Sequence, residues 1–347
     1  MVAIGLLDIP PEIHLQIAES VERRQALKAL SVTSRALRSI AQSILFKKLE
    51  INLGTELRGS VDDLLANPRI CATIRYLELR GLISPGRNDE VKLSLIQKML
   101  PEMVGLRKVA IYDVRLSKTF LDAFLGIAAN MPLRINLFGN IYPYGVISTP
   151  HTRLQISRIQ FGVDHSSLEF CRSMFHASAT TLTTLTIMVD QDECMQLADI
   201  NLPFLHDLTL VIPRRIKVSK RGAVAFLAAQ KSIRKLDLNN TIPPIPPNAL
   251  PNLRELIAPP EHVHQLVPGR PVEAIDVTPS PHDYDQDSPH DYDQDWFREE
   301  VGQSTARVRM LRVRLDAVIS DTRMVKRMVP ILPFLENLWL PVFNDVS

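Results

Sequence analysis

Past residue 50 the chain returns again and again to one short phrase: an apolar residue, two others, an apolar residue, one other and a third apolar residue. It reads IRYLEL at 74–79, LRKVAI at 106–111, ISRIQF at 156–161, LTTLTI at 182–187, LHDLTL at 205–210, IRKLDL at 233–238, VRMLRV at 308–313 and LENLWL at 335–340. LRINLF at 133–138 and LRELIA at 253–258 are looser copies. A period in the twenties is the signature of stacked structural units. The last two apolar positions of each copy alternate with a non-core residue, which predicts a short strand with one face inward. Between copies lie stretches with helical spacing, KTFLDAFLGIAANM (118–131), SLEFCRSMFHASATTL (167–182), GAVAFLAAQKSI (222–233) and TRMVKRMVPIL (322–332). The unit is therefore strand, turn, helix and return, and stacking buries strand faces and helix stripes in one continuous core. The fold class this predicts is α/β, an irregular solenoid of strand–helix units.

The first fifty residues follow another pattern. Pro10 and Pro11 suit the first turn of a helix, where the missing N–H would have no partner, and Asp8 before them can cap it. Ile9, Ile13, Ile17 and Val21 recur every four residues as a stripe, with Leu15 roughly 200° round from Ile13. A charged patch at Glu22 to Gln25 reads as a turn, a second helical segment carries Leu27 and Leu30, and Ser31, Thr33 or Ser34 can cap a third helix bearing Leu37, Ile40, Ala41, Ile44 and Leu45. Of residues 6 to 50, 21 are Ala, Val, Ile, Leu or Phe, more than three short helices can bury among themselves. Each large apolar side chain left in water forgoes about 1.5–3 kcal/mol. The helices are therefore expected to be covered by a partner or a neighbouring domain.

These residues resemble an F-box, the three-helix motif that docks onto the Skp1 adaptor of cullin ubiquitin ligases. Ile9 and Pro10 match its opening Leu-Pro, Glu12 and Ile13 the following Glu-hydrophobic pair, Ile17 the next anchor, and Ser34 with Arg35 the central Ser-Arg. Leu37 stands where many members carry Trp, and Thr33 where Val or Cys is usual. The repeated phrase in turn resembles leucine-rich repeats, without their usual Asn or Cys three residues past the last apolar position except at Asn140. An irregular solenoid with variable helices is the expectation. PNLRELIAPP with PGRPVE (268–273) is similar to the degenerate-repeat F-box proteins numerous in mushroom-forming fungi. The resemblance implies a small three-helix F-box at 1–50 and a leucine-rich-repeat-like solenoid at 51–347 with an acidic insertion loop at 278–297. It implies a substrate-recognition subunit of an SCF-type ubiquitin ligase, a non-catalytic adaptor bound to a Skp1-like protein and through it to a cullin. Ile9, Pro10, Ile13, Ile17, Leu27, Leu30 and Ile40 would bury against Skp1. The competing reading is an interaction scaffold whose N-terminal helices only cap the solenoid.

The strand pattern also predicts which residues face a target protein. Those alternating with the core apolars would line a concave face: Glu78 and Arg80, Tyr112, Phe138, Gln160, Met188, Thr209, Asp237 and Asn239, Arg312 and Arg314, and Trp339. Outward aromatics and arginines are the residue types that anchor interfaces. Arg312 and Arg314 suit a phosphate on a target. The plain alternative is a solvated strand face.

Composition narrows the remaining classes. Across 347 residues, 46% hydrophobic and 22% charged residues are ordinary for a globular chain with a real core. Cys71, Cys171 and Cys194 are odd in number and form no C-x-x-C, so neither a disulfide framework nor a zinc site is suggested, and a reducing compartment fits. No apolar run reaches the roughly 18–20 residues of a membrane span, and the N-terminus lacks a basic segment ahead of an apolar one. Cytoplasm or nucleus is the expected location. The net charge of +2 conceals residues 276–300, where seven Asp and two Glu against one Arg give −8, leaving +10 spread over the rest. That excess is too dispersed for a nucleic-acid footprint, and a helix-turn-helix reading finds too few base-reaching side chains in Arg35, Arg38 and Gln42.

SPHDYDQD occurs twice in succession, at 280–287 and 288–295. Read as a calcium loop, Asp283, Asp285 and Asp287 would lead to Ser288 where glycine belongs and Gln294 where a bidentate glutamate belongs. A solvated insertion loop is expected, with no metal or other cofactor. Ser280 and Ser288 each precede proline and are candidate phosphorylation sites. None of the nucleophile-elbow, zinc-protease, phosphate-loop or dinucleotide motifs is present. An enzyme reading rests only on His151 or His165 as a general base in a divergent hydrolase. Terminal repeats need a polar cap; after LWLPVF, residues 341–347 would have to fold back over the last unit unless the chain is cut short there.

Overall fold

In a computed structural model the described residues are 9–21, 23–33, 35–53, 64, 66–81, 87–114, 116–138, 153–163, 168–189, 197, 199–211, 221–239, 242–278, 301, 303–313 and 332–339. The chain forms two compact units, the first of residues 1–148 with 154–156 and the second of residues 149–153 with 157–347. In the first, helices α1 (Pro11–Glu19), α2 (Arg24–Thr33) and α3 (Arg35–Leu45) lead into β1 (Lys48–Asn52). There follow α4 (Pro68–Cys71), β2 (Tyr76–Arg80), α5 (Arg87–Met99), β3 (Lys108–Tyr112), α6 (Lys118–Asn130) and β4 (Leu133–Phe138).

Local sequence explains the helix starts. Pro10 and Pro11 open α1, and the N–H groups of Ile13 and His14 donate to the Pro10 carbonyl. The expected cap, Asp8, lies outside the described residues. Ser117 caps α6, its Oγ accepting from Phe120 N at 3.2 Å.

Every strand of the first unit is parallel to the next and in sequential order: Lys48 aligns with Tyr76, Tyr76 with Lys108 and Lys108 with Arg134. Parallel neighbours require a crossover, and the intervening helices provide it. Leu77, Leu79, Val109, Ile111, Ile135 and Leu137 point inward and are essentially inaccessible, as are Phe120 and Phe124 of α6. The two inward residues per strand are the last two apolar positions of the repeated phrase. Where β2 and β3 end, the chain is crowded: Gly81 donates to the Tyr112 carbonyl at 2.8 Å, Asp113 takes a left-handed φ of 51°, and a Cβ on Gly81 would stand 2.0 Å from the Asp113 carbonyl oxygen.

The second unit repeats the plan. Strands β5 (Ile156–Val163), β6 (Thr184–Val189), β7 (Asp207–Val211), β8 (Lys235–Leu238), β9 (Glu255–Ala258), β10 (Ala274–Val277), β11 (Met310–Val313) and β12 (Asn337–Trp339) pair in sequence, all parallel. Helices α7 (Leu168–Ser178), α8 (Arg221–Ala229) and α9 (Pro260–Leu266) cross between them. All ten copies of the phrase are strands. β1 and β10 carry the same phrase, as FKKLEI at 46–51 and VEAIDV at 272–277. All but the last residue of the expected helix at 322–332 and the acidic segment from residue 279 to 300 lie outside the described residues, as do residues 341–347.

Other polar groups take over the role of the missing asparagine ladder. Gln230, fully buried, accepts from Leu202 N at 2.9 Å and donates to the Ile200 carbonyl at 2.6 Å. Ser232 donates to the carbonyls of Leu202 and Leu205, and Ser304 to those of Arg270 and Val272. His262 Nε2 accepts from Ile242 N at 2.9 Å, so that nitrogen carries no proton. The proline-rich run IPPIPPNAL sets a sharper problem, because prolines supply buried carbonyls without N–H donors. Arg270, 2% exposed, answers it: its guanidinium donates to the carbonyls of Pro246, Pro247, Ala249, Gln265 and Pro268 at 2.8–3.3 Å. Burial lowers its pKa, but a guanidinium stays charged. Gly269 beside it adopts φ 71°, a left-handed turn that glycine takes without strain.

Two substitutions test this. Gly81→Ala is expected to cost about 1–3 kcal/mol, the usual penalty for forcing atoms into filled space, read as a lower denaturant midpoint. Arg270→Met strands the proline-loop carbonyls and is expected to cost about 3 kcal/mol or more. Arg270→Lys, with three donors, recovers only part of this in the same measurement.

Candidate docking surfaces

The N-terminal helices have a small private core. Ala18, Leu27, Leu37 and Ala41 are buried, as is His14, which with Ala18 forms the inward side of α1. The Ile9–Ile13–Ile17 stripe looks elsewhere: Ile13 is 42% and Ile17 46% exposed. Leu15, on the other flank, is 39% exposed, and Val32 of α2 is 75% exposed. Pro10 is also exposed, whereas Ile9, Leu30 and Ile40 are half-buried. One expected Skp1 contact needs correction: Leu27 is 6% exposed and belongs to the core the helices form, because α2 turns it toward its neighbours. The inward role of His14 escaped the sequence reading, since a polar residue gives no apolar signal. Ser34 lies outside the described residues, and Arg35 is exposed.

The second surface is the open face of the strands, opposite the apolar core. In the first unit the residues of outward parity form three rows in register, with Glu78, Ala110 and Asn136 of the middle row buried. The first row is Lys48, Tyr76, Lys108 and Arg134; the second Glu50, Glu78, Ala110 and Asn136; the third Asn52, Arg80, Tyr112 and Phe138. Tyr76 sits between two ammonium groups, 4.9 Å from Lys48 Nζ and 4.8 Å from Lys108 Nζ. Tyr112 and Phe138 stack with centroids 5.2 Å apart and planes 10° apart, and Arg80 lies over Tyr112 at 5.3 Å.

Glu78 ties these rows together. Its carboxylate accepts from Tyr76 Oη at 2.8 Å and from Arg80 Nε at 2.6 Å, and pairs with Lys48 at 3.1 Å. Burial alone would raise its pKa, but these three donors outweigh burial and hold it below the ordinary glutamate value. Burial and the facing carboxylate push the Tyr76 phenol up. Glu78 was expected as a target contact. At 2% exposure it is instead an internal strut of the face.

The second unit carries its own rows. Arg158, Thr184, Asp207, Lys235, Glu255, Ala274, Met310 and Asn337 align in one, and Gln160, Thr186, Thr209, Asp237, Ile257, Asp276, Arg312 and Trp339 in the next. The pattern predicted the parity correctly. Met188 is 38% and Trp339 60% exposed, Arg312 and Asn239 are exposed, and Gln160, Thr209 and Asp237 are half-buried. Arg312 lies over the Trp339 ring at 5.9 Å. Arg314, the other residue considered for a phosphate, lies outside the described residues. Three cations near the strand starts are paired across adjacent repeats: Lys235 with Glu255 at 2.5 Å, Arg254 with Glu273 at 3.3 Å and Arg309 with Glu336 at 4.0 Å.

Sequence reasoning overlooked Lys48, Tyr76, Lys108, Arg134 and Asn136. The signal was present, because they share the parity of Glu78 and Tyr112 on their strands. His151, His165 and Cys194 lie outside the described residues. Cys71 is buried, and burial raises its thiol pKa. Among the described residues no group of three or more His, Cys, Asp or Glu is placed to hold a metal ion. No described helix is long and apolar enough to cross a membrane.

No protein-family model matches the chain, and no curated protein does. Among solved structures it is similar to a leucine-rich-repeat protein of Leptospira interrogans, at 12% identity over 94% of this chain and 97% of that one, with a TM-score of 0.27. The chain's own ladders define its class: α/β units with one parallel strand per repeat, arranged as in leucine-rich repeats.

The strut gives a pH prediction. The folded pKa of Glu78 lies below its unfolded value, so its contribution is intact above the ordinary glutamate pKa of 4.5 and fades as pH falls through the lower folded value. Glu78→Gln is expected to cost about 1–2 kcal/mol near neutrality, because Lys48 and Arg80 are partly solvent-screened. It should also flatten the acid limb of stability, measured by denaturation across pH 3–7.

Proposed function

We propose that this chain is a non-catalytic substrate receptor of an SCF-type ubiquitin ligase. The N-terminal helices hold a Skp1-like adaptor and, through it, a cullin; the open strand faces hold a target protein. The observation that carries this reading is the apolar flank of α1, where Ile13 and Ile17 remain 42% and 46% exposed beside a private core of Ala18, Leu27, Leu37 and Ala41. An isolated exposed leucine needs no explanation, but a helix with apolar side chains on two exposed flanks forgoes about 1 kcal/mol or more at each of them until something covers it. The order of residues at 9–17 and 33–37 resembles that of F-box helices, which supports the same reading. Such a receptor acts by holding its target near a ubiquitin-loaded enzyme and needs no reactive side chains of its own. Cytoplasm or nucleus, where cullin ligases work, is the location this reading implies.

One observation favours a scaffold that never joins a ligase. The three helices share a compact unit with β1–β4, and Lys47, directly after α3, accepts from the N–H groups of Arg75 and Tyr76 and pairs with Glu19 at 3.8 Å. In that reading the helices cap the first strand. The two readings part on one measurement. Ile13→Asp with Ile17→Asp is expected to abolish recovery of a Skp1-like adaptor from tagged full-length protein, while folding stability shifts by no more than about 0.5 kcal/mol, as at exposed sites. Wild-type protein that recovers no such adaptor would leave the scaffold reading standing.

A further inference from the structure

The first unit's open face contains one corner that its own side chains leave uncompensated. Lys108 and Arg134 are in-register neighbours on β3 and β4, about 4.8 Å apart along the ladder. Among the described residues neither meets a carboxylate at ion-pair distance; Lys108 leans on the Tyr76 ring at 4.8 Å. Lys235, Arg254 and Arg309 are each matched by an acidic residue on the next repeat, whereas Lys108 and Arg134 stand side by side with none. Beyond the two cations lies a low floor, Ala110 at 0% and Asn136 at 9% exposure. Beyond the floor stands the Tyr112–Phe138 stack. From the first row to the third is four residues of strand, about 13 Å.

We propose that this cation, floor and aromatic sequence on β3 and β4 is the seat of an extended acidic segment of the target protein, a refinement that rests on the receptor reading above. A carboxylate of the segment meets Lys108 and Arg134. Its backbone crosses the floor, where the Asn136 amide can both donate to and accept from a peptide group. About four residues further along, an apolar or aromatic side chain packs on the Tyr112–Phe138 stack, since an extended chain covers the 13 Å in about that many residues. Aspartate or glutamate is favoured over phosphate because Glu78, diagonal to Lys108 and itself ionised, repels a dianion more than a monoanion. The same carboxylate disfavours nucleic acid.

The test uses the full-length chain and fluorescein-labelled 11-residue peptides in a Gly/Ser background, carrying two Glu and, after three intervening residues, one Phe, in both chain directions. Fluorescence anisotropy is expected to show saturable binding that weakens with added salt. Glu→Gln in the peptide, or Lys108→Glu with Arg134→Glu in the protein, should weaken it at least about tenfold. Tyr112→Ala should remove the advantage of Phe over Ala in the peptide. Circular dichroism melts keep loss of fold separate from loss of binding, and Arg134→Gln is the milder variant should the double reversal unfold. Equal binding of the Gln peptide, unchanged affinity of the folded charge-reversal variant, or tighter binding of a phosphoserine version or of a single-stranded RNA of similar length would overturn the proposal. Recovery of the Skp1-like adaptor is read on the same variants. Adaptor bound without peptide sinks this inference alone, and peptide bound without adaptor sinks the ligase reading alone.

Discussion

Each strand in this chain brings only two or three residues to the interior, and a strand of four or five residues cannot hold itself together in water. Its neighbours on the ladder supply both the hydrogen bonds and the apolar contact. The requirement that each strand lie parallel and in register with the next therefore governs everything else. A slip of one residue would turn Leu77 and Leu79 outward and bring Glu78 inward, at the cost of a buried charge. The same constraint organises the open face, because a register that aligns leucines inside necessarily aligns Lys48, Tyr76, Lys108 and Arg134 outside.

Regular leucine-rich repeats satisfy the buried backbone of their turns with one residue type at one position. This chain meets the same demand case by case, with Gln230, Ser232, His262, Arg270 and Ser304 each reaching across to carbonyls or N–H groups of another repeat. The consequence is repeats of unequal length. The register advances from Glu255 to Ala274 in a short step and from Ala274 to Met310 in a long one that includes the acidic duplication. Buried polar groups that meet partners across repeats are compatible with stability, and they make the second unit sensitive to single changes at those positions.

The functional surfaces arise from what that core leaves over. The helices at the start bury Ala18, Leu27, Leu37 and Ala41 and leave Ile13 and Ile17 exposed. On the open face, charges cancel through Glu78 in one place and stay uncancelled at Lys108 and Arg134 in another. Together they leave two exposed surfaces, one apolar and one mixed aromatic and cationic, on which the proposed partners would dock.

The strands were legible in the sequence because their signal is local. Ten copies of one alternating phrase became ten strands, and the parity within each copy told which side chains face outward. Helices α6, α7 and α8 were legible for the same reason, since an apolar period near 3.6 needs no knowledge of the partner. β10 is legible on the same terms, VEAIDV being strand-like, whereas β1, within FKKLEI, is masked by the three helices it directly follows. What only the tertiary structure decided is which candidates are spent on the protein itself. Leu27 and Glu78 carry the same local signals as Ile17 and Arg80, yet two are buried and two are exposed, because burial depends on neighbours brought in from other segments. The stacking of Tyr112 on Phe138, the pairing of Lys48 with Glu78 and the carbonyls of Pro246, Pro247 and Ala249 around Arg270 likewise join residues of different repeats. Alternation along one strand fixes a direction for each side chain; only the register between strands determines what it meets there.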